Sequence, residues 1–307
     1  MTDVMTFLQN MEQLSAQHQI IFFALIGIIG LIVGSFINVV AYRTPLIMMN
    51  EWQTQISEFI CQDANISPAI KTQISKSYQC NQNNQHLSLS LPRSHCPHCQ
   101  HQLIWWHNIP VVSFLMLSGR CKSCCTAIPP TYLIVEILTA LLSLLVALNF
   151  GPSIQMAFAL ILTWFLLALS LIDLKVQLLP DRLLAPLGMI GLLANIHGIF
   201  TTPILAMWGL VAGFVSFWLI NILFRLIVKK DGMGLGDAKL IAVLGAWLGV
   251  EFLPMIVFIG ALLGVIFGVF FQKYKQPFAF GPYLALGGLV ALLWGEALLA
   301  WYLGGLL

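Results

Sequence analysis

The chain has 307 residues, of which 59% are hydrophobic and 8% charged, and its net charge is +2. A water-soluble domain carries about 25% charged residues. The composition therefore excludes a soluble globular protein and points to an integral membrane protein, with the lipid bilayer and no nucleic acid as the expected surroundings.

A membrane span needs roughly 17–25 mostly apolar residues. In chain order such runs lie near 20–41, 131–149, 154–172, 183–200, 204–228, 238–250, 252–271 and 283–303. The sixth is short, and only Glu251 and Pro254 break it from the seventh. The stretch Met1 to Gln19 has no basic n-region, and no small-residue cleavage site follows 20–41, so the first run reads as a retained span. The expected fold class is an all-α polytopic membrane protein of about eight transmembrane helices, with one cytoplasmic zinc-knuckle loop domain.

The cations support this count. Six Lys and Arg fall in 42–130, two in 173–182, four in 225–239 and two in 272–282, all on alternate connections. The positive-inside rule makes that side cytoplasmic and places both termini outside. A seven-span topology would scatter the same charges over both sides.

Only the connection 42–130 is large enough to fold by itself, which divides the chain into an outside tail and first helix (1–41), a zinc-binding cytoplasmic domain (42–130) and a membrane domain (131–307). All seven cysteines lie in that connection: Cys61, Cys80, Cys96, Cys99, Cys121, Cys124 and Cys125. Cytoplasmic thiols stay reduced, so a metal is expected rather than disulfides. The spacing Cys96-Pro-His-Cys99, then Cys121-Lys-Ser-Cys124, forms two knuckles whose four soft thiolates suit tetrahedral Zn2+ in a structural role. Cys125 could take the place of Cys124, while His95, His98 and His101 read as solvated loop residues. Between Glu51 and Ser94 the chain is rich in Gln, Asn and Ser, a composition expected to form a mobile insertion without a core. Trp105 and Trp106 read as an interfacial belt. No strand followed by GxGxxG occurs, so no ordinary dinucleotide or methyl-donor fold is legible.

Two acidic residues stand where a membrane protein least tolerates them. Asp173 closes the third run, and Asp237 ends Gly232-Met233-Gly234-Leu235-Gly236-Asp237 at the mouth of the sixth. Intramembrane ionisable groups are by default functional candidates. Two carboxylates that converge can share one proton, which is the machinery of an aspartyl protease. Gly232, Gly234 and Gly236 would let backbone approach an extended peptide closely. The bland alternative is two aspartates capping helices at the water interface.

The order of motifs resembles a known family. It begins with Gly34-Ser35-Phe36-Ile37-Asn38-Val39, Arg43 and Pro45, and continues through the CxxC pairs with Asn108-Ile109-Pro110 and Gly119-Arg120-Cys121. Tyr132 and Glu136 follow, then Asp173 with Leu179-Pro180-Asp181, and finally Gly232 to Leu240 running into Leu244-Gly245-Ala246-Trp247-Leu248-Gly249. From residue 34 to about 283 this resembles the type IV prepilin peptidases, bifunctional leader peptidases and N-methyltransferases of Gram-negative inner membranes. The resemblance implies Asp173 and Asp237 as catalytic residues, with Asp181 not catalytic. It implies prepilins and type II secretion pseudopilins as substrates, cut after a glycine, with the new N-terminus methylated from S-adenosylmethionine. This chain departs from the family pattern at Ser118 and at Thr131-Tyr132-Leu133, where arginines are common.

A proton-coupled transporter would also hold intramembrane aspartates, but should show an inverted repeat with carboxylates near mid-helix. A membrane scaffold with a zinc knob would leave both aspartates dispensable. Glu136 reads as an interfacial glutamate stabilised by its helix N-terminus. Within the aspartate pair, the dipole of each residue's own helix favours an ionised Asp237 and a proton on Asp173.

Overall fold

A computed structural model describes residues 16–62, 88–91, 96, 98–99, 102, 119–127, 129–229, 234–271 and 279–304. Eight α-helices lie among these residues: α1 (Ala16–Gln62), α2 (Thr131–Phe150), α3 (Ile154–Val176), α4 (Asp181–Ile196), α5 (Pro203–Val228), α6 (Leu235–Leu248), α7 (Leu253–Phe271) and α8 (Gly281–Gly304). Each matches one expected apolar run. Six are long and apolar enough to cross a membrane, and α4 and α6 are not among them, so the chain is a multi-pass membrane protein. With 14 residues, α6 is roughly 21 Å long at about 1.5 Å per residue, against a bilayer core of roughly 30 Å.

The chain divides into two compact units. One comprises residues up to Gly34 together with Ile137–Leu307; the other is Ser35–Glu136. In the first, local signals set most helix ends. Ser153 caps α3 by accepting the Met156 N–H at 3.1 Å, and Thr202 caps α5 ahead of Pro203. α6 stops at Gly249, whose φ of 94° favours glycine, and a short 3₁₀ turn Val250–Phe252 leads into α7. The sixth and seventh runs are therefore separated at Gly249, ahead of Glu251.

α6 is the centre of this unit. Every residue from Leu240 to Gly249 is buried, the all-round pattern of a helix enclosed by protein. Gly209 of α5 and Gly245 of α6 meet backbone to backbone, leaving no room for a Cβ on either. One turn on, a Cβ at Gly213 would lie 2.9 Å from the Ile241 carbonyl oxygen. The Trp247 ring fills the space left by Gly191 and donates its Nε1–H to the Leu187 carbonyl at 2.8 Å. Asn195, fully buried, donates to the Ala246 and Trp247 carbonyls at 2.8 Å each and accepts the Phe200 and Thr201 N–H groups. Its side chain thus satisfies carbonyls that the end of α6 leaves without intrahelical partners.

In the Ser35–Glu136 unit, two expectations are corrected. Residues 42–62 were expected to leave the first span as loop, and 51–62 to belong to a mobile insertion; instead α1 continues through Pro45 to Gln62. Leu46, Met49, Trp52, Ile56 and Phe59 recur every three or four residues, a helical period. The polar composition masked it. Arg43 on this helix donates to the Ser88 and Leu89 carbonyls at 3.0 and 3.2 Å. Glu136 is corrected too: it is fully buried rather than interfacial, and as the sixth residue of α2 it lies past the first turn, where the helix dipole acts.

Candidate active site and thiol cluster

The two aspartates reach one place from different elements. Asp173 stands in the last turn of α3, where Gln177 ends the helix in a left-handed conformation (φ 54°) and donates its N–H to the Asp173 carbonyl at 2.9 Å. The chain then turns through Leu178-Leu179-Pro180 into α4. Pro180, extended at φ −70° and ψ 126°, caps that helix. Asp237 occupies the first turn of α6, its N–H bonded to the Gly234 carbonyl at 3.2 Å. Asp173 is buried at 5% exposure and Asp237 is half-buried. They are near enough for the charge of Asp173 to act on Asp237.

A third element joins them that the sequence did not single out. The Gly281 N–H, at the start of α8, donates to Asp173 Oδ2 at 3.0 Å. The first N–H groups of a helix lack intrahelical partners, and Pro282 contributes none, so Gly281 brings a free donor to this carboxylate. A Cβ on Gly281 would lie 2.6 Å from Oδ2. Leu179 wedges beside both glycines: a Cβ on Gly236 would lie 3.0 Å from Leu179 Cβ, and one on Gly281 would lie 3.4 Å from Leu179 Cδ1. The Gly-Pro pair ahead of the last apolar run was the available signal. Its consequence is chemical. Each aspartate now faces a helix N-terminus, Asp237 its own and Asp173 that of α8, so own-helix dipoles no longer separate their roles.

Gly236 is thus a close-approach glycine, and Gly234 is an exposed cap of α6; Gly232 lies outside the described residues. Asp181 points elsewhere. Its carboxylate accepts two hydrogen bonds from Lys239 Nζ, at 2.7 and 2.8 Å. Both side chains are exposed, at 66% and 40%, which limits such a pair to about 0–1 kcal/mol.

The thiols form a second, separate group. Cys96, Cys99, Cys121 and Cys124 present sulfurs all within 4.8 Å of one another, an arrangement that could hold a metal ion. Cys96 Sγ lies 3.7 Å from Cys124 Sγ, and Cys99 Sγ 3.9 Å from Cys121 Sγ. Four thiolates at about 2.3 Å from a tetrahedral ion would stand roughly 3.8 Å apart, so the donor set fits. The Thr126 hydroxyl, 3.2 Å away, and then its backbone N–H pull the Cys124 thiol down to about 6. The Cys99 and His98 N–H groups lower Cys96 in the same way. Both favour the thiolate, the form that binds metal. The second knuckle is closed by Cys121 N–H to the Thr126 carbonyl at 2.9 Å and an antiparallel bridge between Arg120 and Ala127. Cys125 does not replace Cys124: it is exposed, at φ 55°, outside the cluster. His98 is exposed, while His95, His101, Cys80, Trp105 and Trp106 lie outside the described residues.

These features define a polytopic membrane protein with a carboxylate pair at its helix ends and a thiolate cluster in a separate unit. The chain belongs to the type IV leader peptidase family. The model described as type IV leader peptidase family matches residues 160–269, and that described as bacterial peptidase A24 N-terminal domain matches 28–150. A prepilin leader peptidase/N-methyltransferase of Stutzerimonas stutzeri is 42% identical over 90% of this chain and 92% of its own. A protein of the same name from Pseudomonas aeruginosa is 43% identical over 94% of this chain and 96% of its own. One from Legionella pneumophila is 38% identical over 92% and 94%. No solved structure shows significant similarity to the chain.

Proposed function

We propose that this protein removes the short basic leader from type IV prepilins and type II secretion pseudopilins, cutting after glycine at the cytoplasmic membrane face, and then methylates the new N-terminal residue. The convergence of Asp173 and Asp237 beside Gly281 carries this reading. One carboxylate, ionised, takes a proton from water as it attacks the scissile carbonyl; the other, protonated, donates to the developing oxyanion. The pair titrates as a unit, and the two carboxylates exchange roles as the amine leaves. The exposed Gly234 gives an extended substrate access without a side chain in the way, while Gly236 makes room for Leu179 beside the pair. Because all cations lie on alternate connections, we place the protein in the bacterial inner membrane with both termini periplasmic.

Zn2+ is the metal we propose for Cys96, Cys99, Cys121 and Cys124; when bound it cross-links the two knuckles and takes no part in cleavage. S-adenosylmethionine is the proposed methyl donor for the second activity, which we assign to the Ser35–Glu136 unit.

The test uses the purified full-length protein in detergent with a prepilin. Mass spectrometry should show loss of the leader mass and, with S-adenosylmethionine present, a later methyl-sized gain at the new N-terminus. An uncut prepilin after prolonged incubation would sink the peptidase reading. A cut but unmethylated product would leave a peptidase alone.

A further inference from the structure

The end of α6 that carries Asp237 is its open end. From Leu240 to Gly249 the helix is enclosed by protein, and Asn195 holds its far end, but Leu235 is 52% exposed and Gly234 is exposed beside it. The turn from α3 to α4 is open as well: Leu174, Lys175, Gln177 and Leu178 are all exposed. Segments with few buried contacts shift at low cost in free energy. A catalytic group displaced by about 1 Å, however, loses roughly 100-fold in rate.

One tie between these open segments is apolar. Leu179 packs against Gly236, where an added Cβ would lie 3.0 Å from the Leu179 Cβ. A second tie is ionic. Asp181, two residues past Leu179, accepts both hydrogen bonds from Lys239, two residues past Asp237, at 2.7 and 2.8 Å. The partners stand 58 positions apart in sequence, so the pair joins separate elements rather than bracing one helix. Apolar contact is non-directional and leaves the two segments room to slide. Hydrogen bonds weaken steeply off line and resist that movement.

We propose that Asp181 and Lys239 are positioning residues for the aspartate pair. Their ion pair fixes the turn after Asp173 against the first turn of α6, and so keeps the two carboxylates in register for cleavage. Neither residue acts on the substrate itself. This rests on the proposed cleavage at Asp173 and Asp237, and it gives the exposed pair a role in alignment rather than in global stability.

Lys239→Met keeps the length of the side chain and removes the cation, while Asp181→Ala removes both acceptor oxygens. Each should lower kcat for a purified prepilin by about 3- to 5-fold, the most that an exposed ion pair supplies, with KM and the melting temperature at wild-type values. The double variant should lose no more than either single one, since both break the same pair. Lys239→Arg keeps the cation and should restore most of the rate; Asp181→Asn, which retains one acceptor oxygen, should keep most of it. Wild-type kcat in Lys239→Met or Asp181→Ala would overturn the inference. So would losses that multiply in the double variant or that fall on KM alone. A melting temperature lowered in step with kcat would overturn it too, because the pair would then be serving the fold at large. Failure of the wild-type protein to cut the prepilin would instead overturn the proposed function itself.

Discussion

The thiol cluster and the aspartate pair are built on opposite plans. The metal-binding candidates come from two short turns, and the paired sulfurs stand 28 and 22 residues apart in sequence. Their geometry depends on local N–H and hydroxyl groups at His98, Cys99 and Thr126. Asp173, by contrast, takes its hydrogen bond from a residue 108 positions away, and Asp237 rides on a helix held at its far end by Asn195. A local site can be lost without unmaking the rest of the chain, whereas a site made from three helix ends depends on how the whole membrane unit packs.

The sharpest break of this comparison is at the pair itself. Asp173→Asn or Asp237→Asn should lower prepilin cleavage by at least about 10³-fold, within the range removed with a general acid or base, while metal content stays at the wild-type level. Residual cleavage above one per cent in either variant would remove that aspartate from the mechanism.

Gly281→Ala should come next. Its Cβ would meet Asp173 Oδ2 at 2.6 Å, and displacing a catalytic group by about 1 Å costs roughly 100-fold. The acid limb of the kcat/KM pH profile should move as well, because the carboxylate loses a donor. A fall in rate with an unmoved profile would mean that Gly281 only packs.

Cys96→Ser or Cys121→Ser should release the metal and unfold the knuckles, visible by metal analysis and hydrogen exchange, and should lower methyl transfer more than cleavage. Cys125→Ser should bind metal as the wild type does. If cleavage and methylation fell in parallel, the two regions would not be separable as drawn here.

The smallest effect belongs to Asp181→Asn. It removes an exposed ion pair with Lys239, of about 0.2–1 kcal/mol, and should leave most of the cleavage activity in a direct assay. A loss approaching that of Asp173→Asn would bring Asp181 into the site.

Apolar runs and CxxC spacing were sufficient to locate all eight helices among the described residues and the four-sulfur set. Each is a statement about nearby residues: a run long enough to form a helix in lipid, with charges excluded from it, or two sulfurs on one turn. The same local logic went astray for 42–62, where polar composition concealed a helical period, and for Glu136, whose burial depends on what packs around α2. It also left Cys125 and Cys124 as rivals until the left-handed backbone at Cys125 placed its sulfur outside the cluster.

Tertiary structure alone decided the rest. The proximity of Asp173 to Asp237, the Gly281 donor and the Leu179 wedge all depend on which helices touch. No periodicity records that, because apolar faces are alike to one another and to lipid tails. The choice among them is made by shape: Gly209 against Gly245, Gly191 beneath Trp247, Gly213 beside Ile241. Once those close contacts fix the register of α5 and α6, the position of Asp237 follows, and with it the place where an extended peptide would meet two carboxylates.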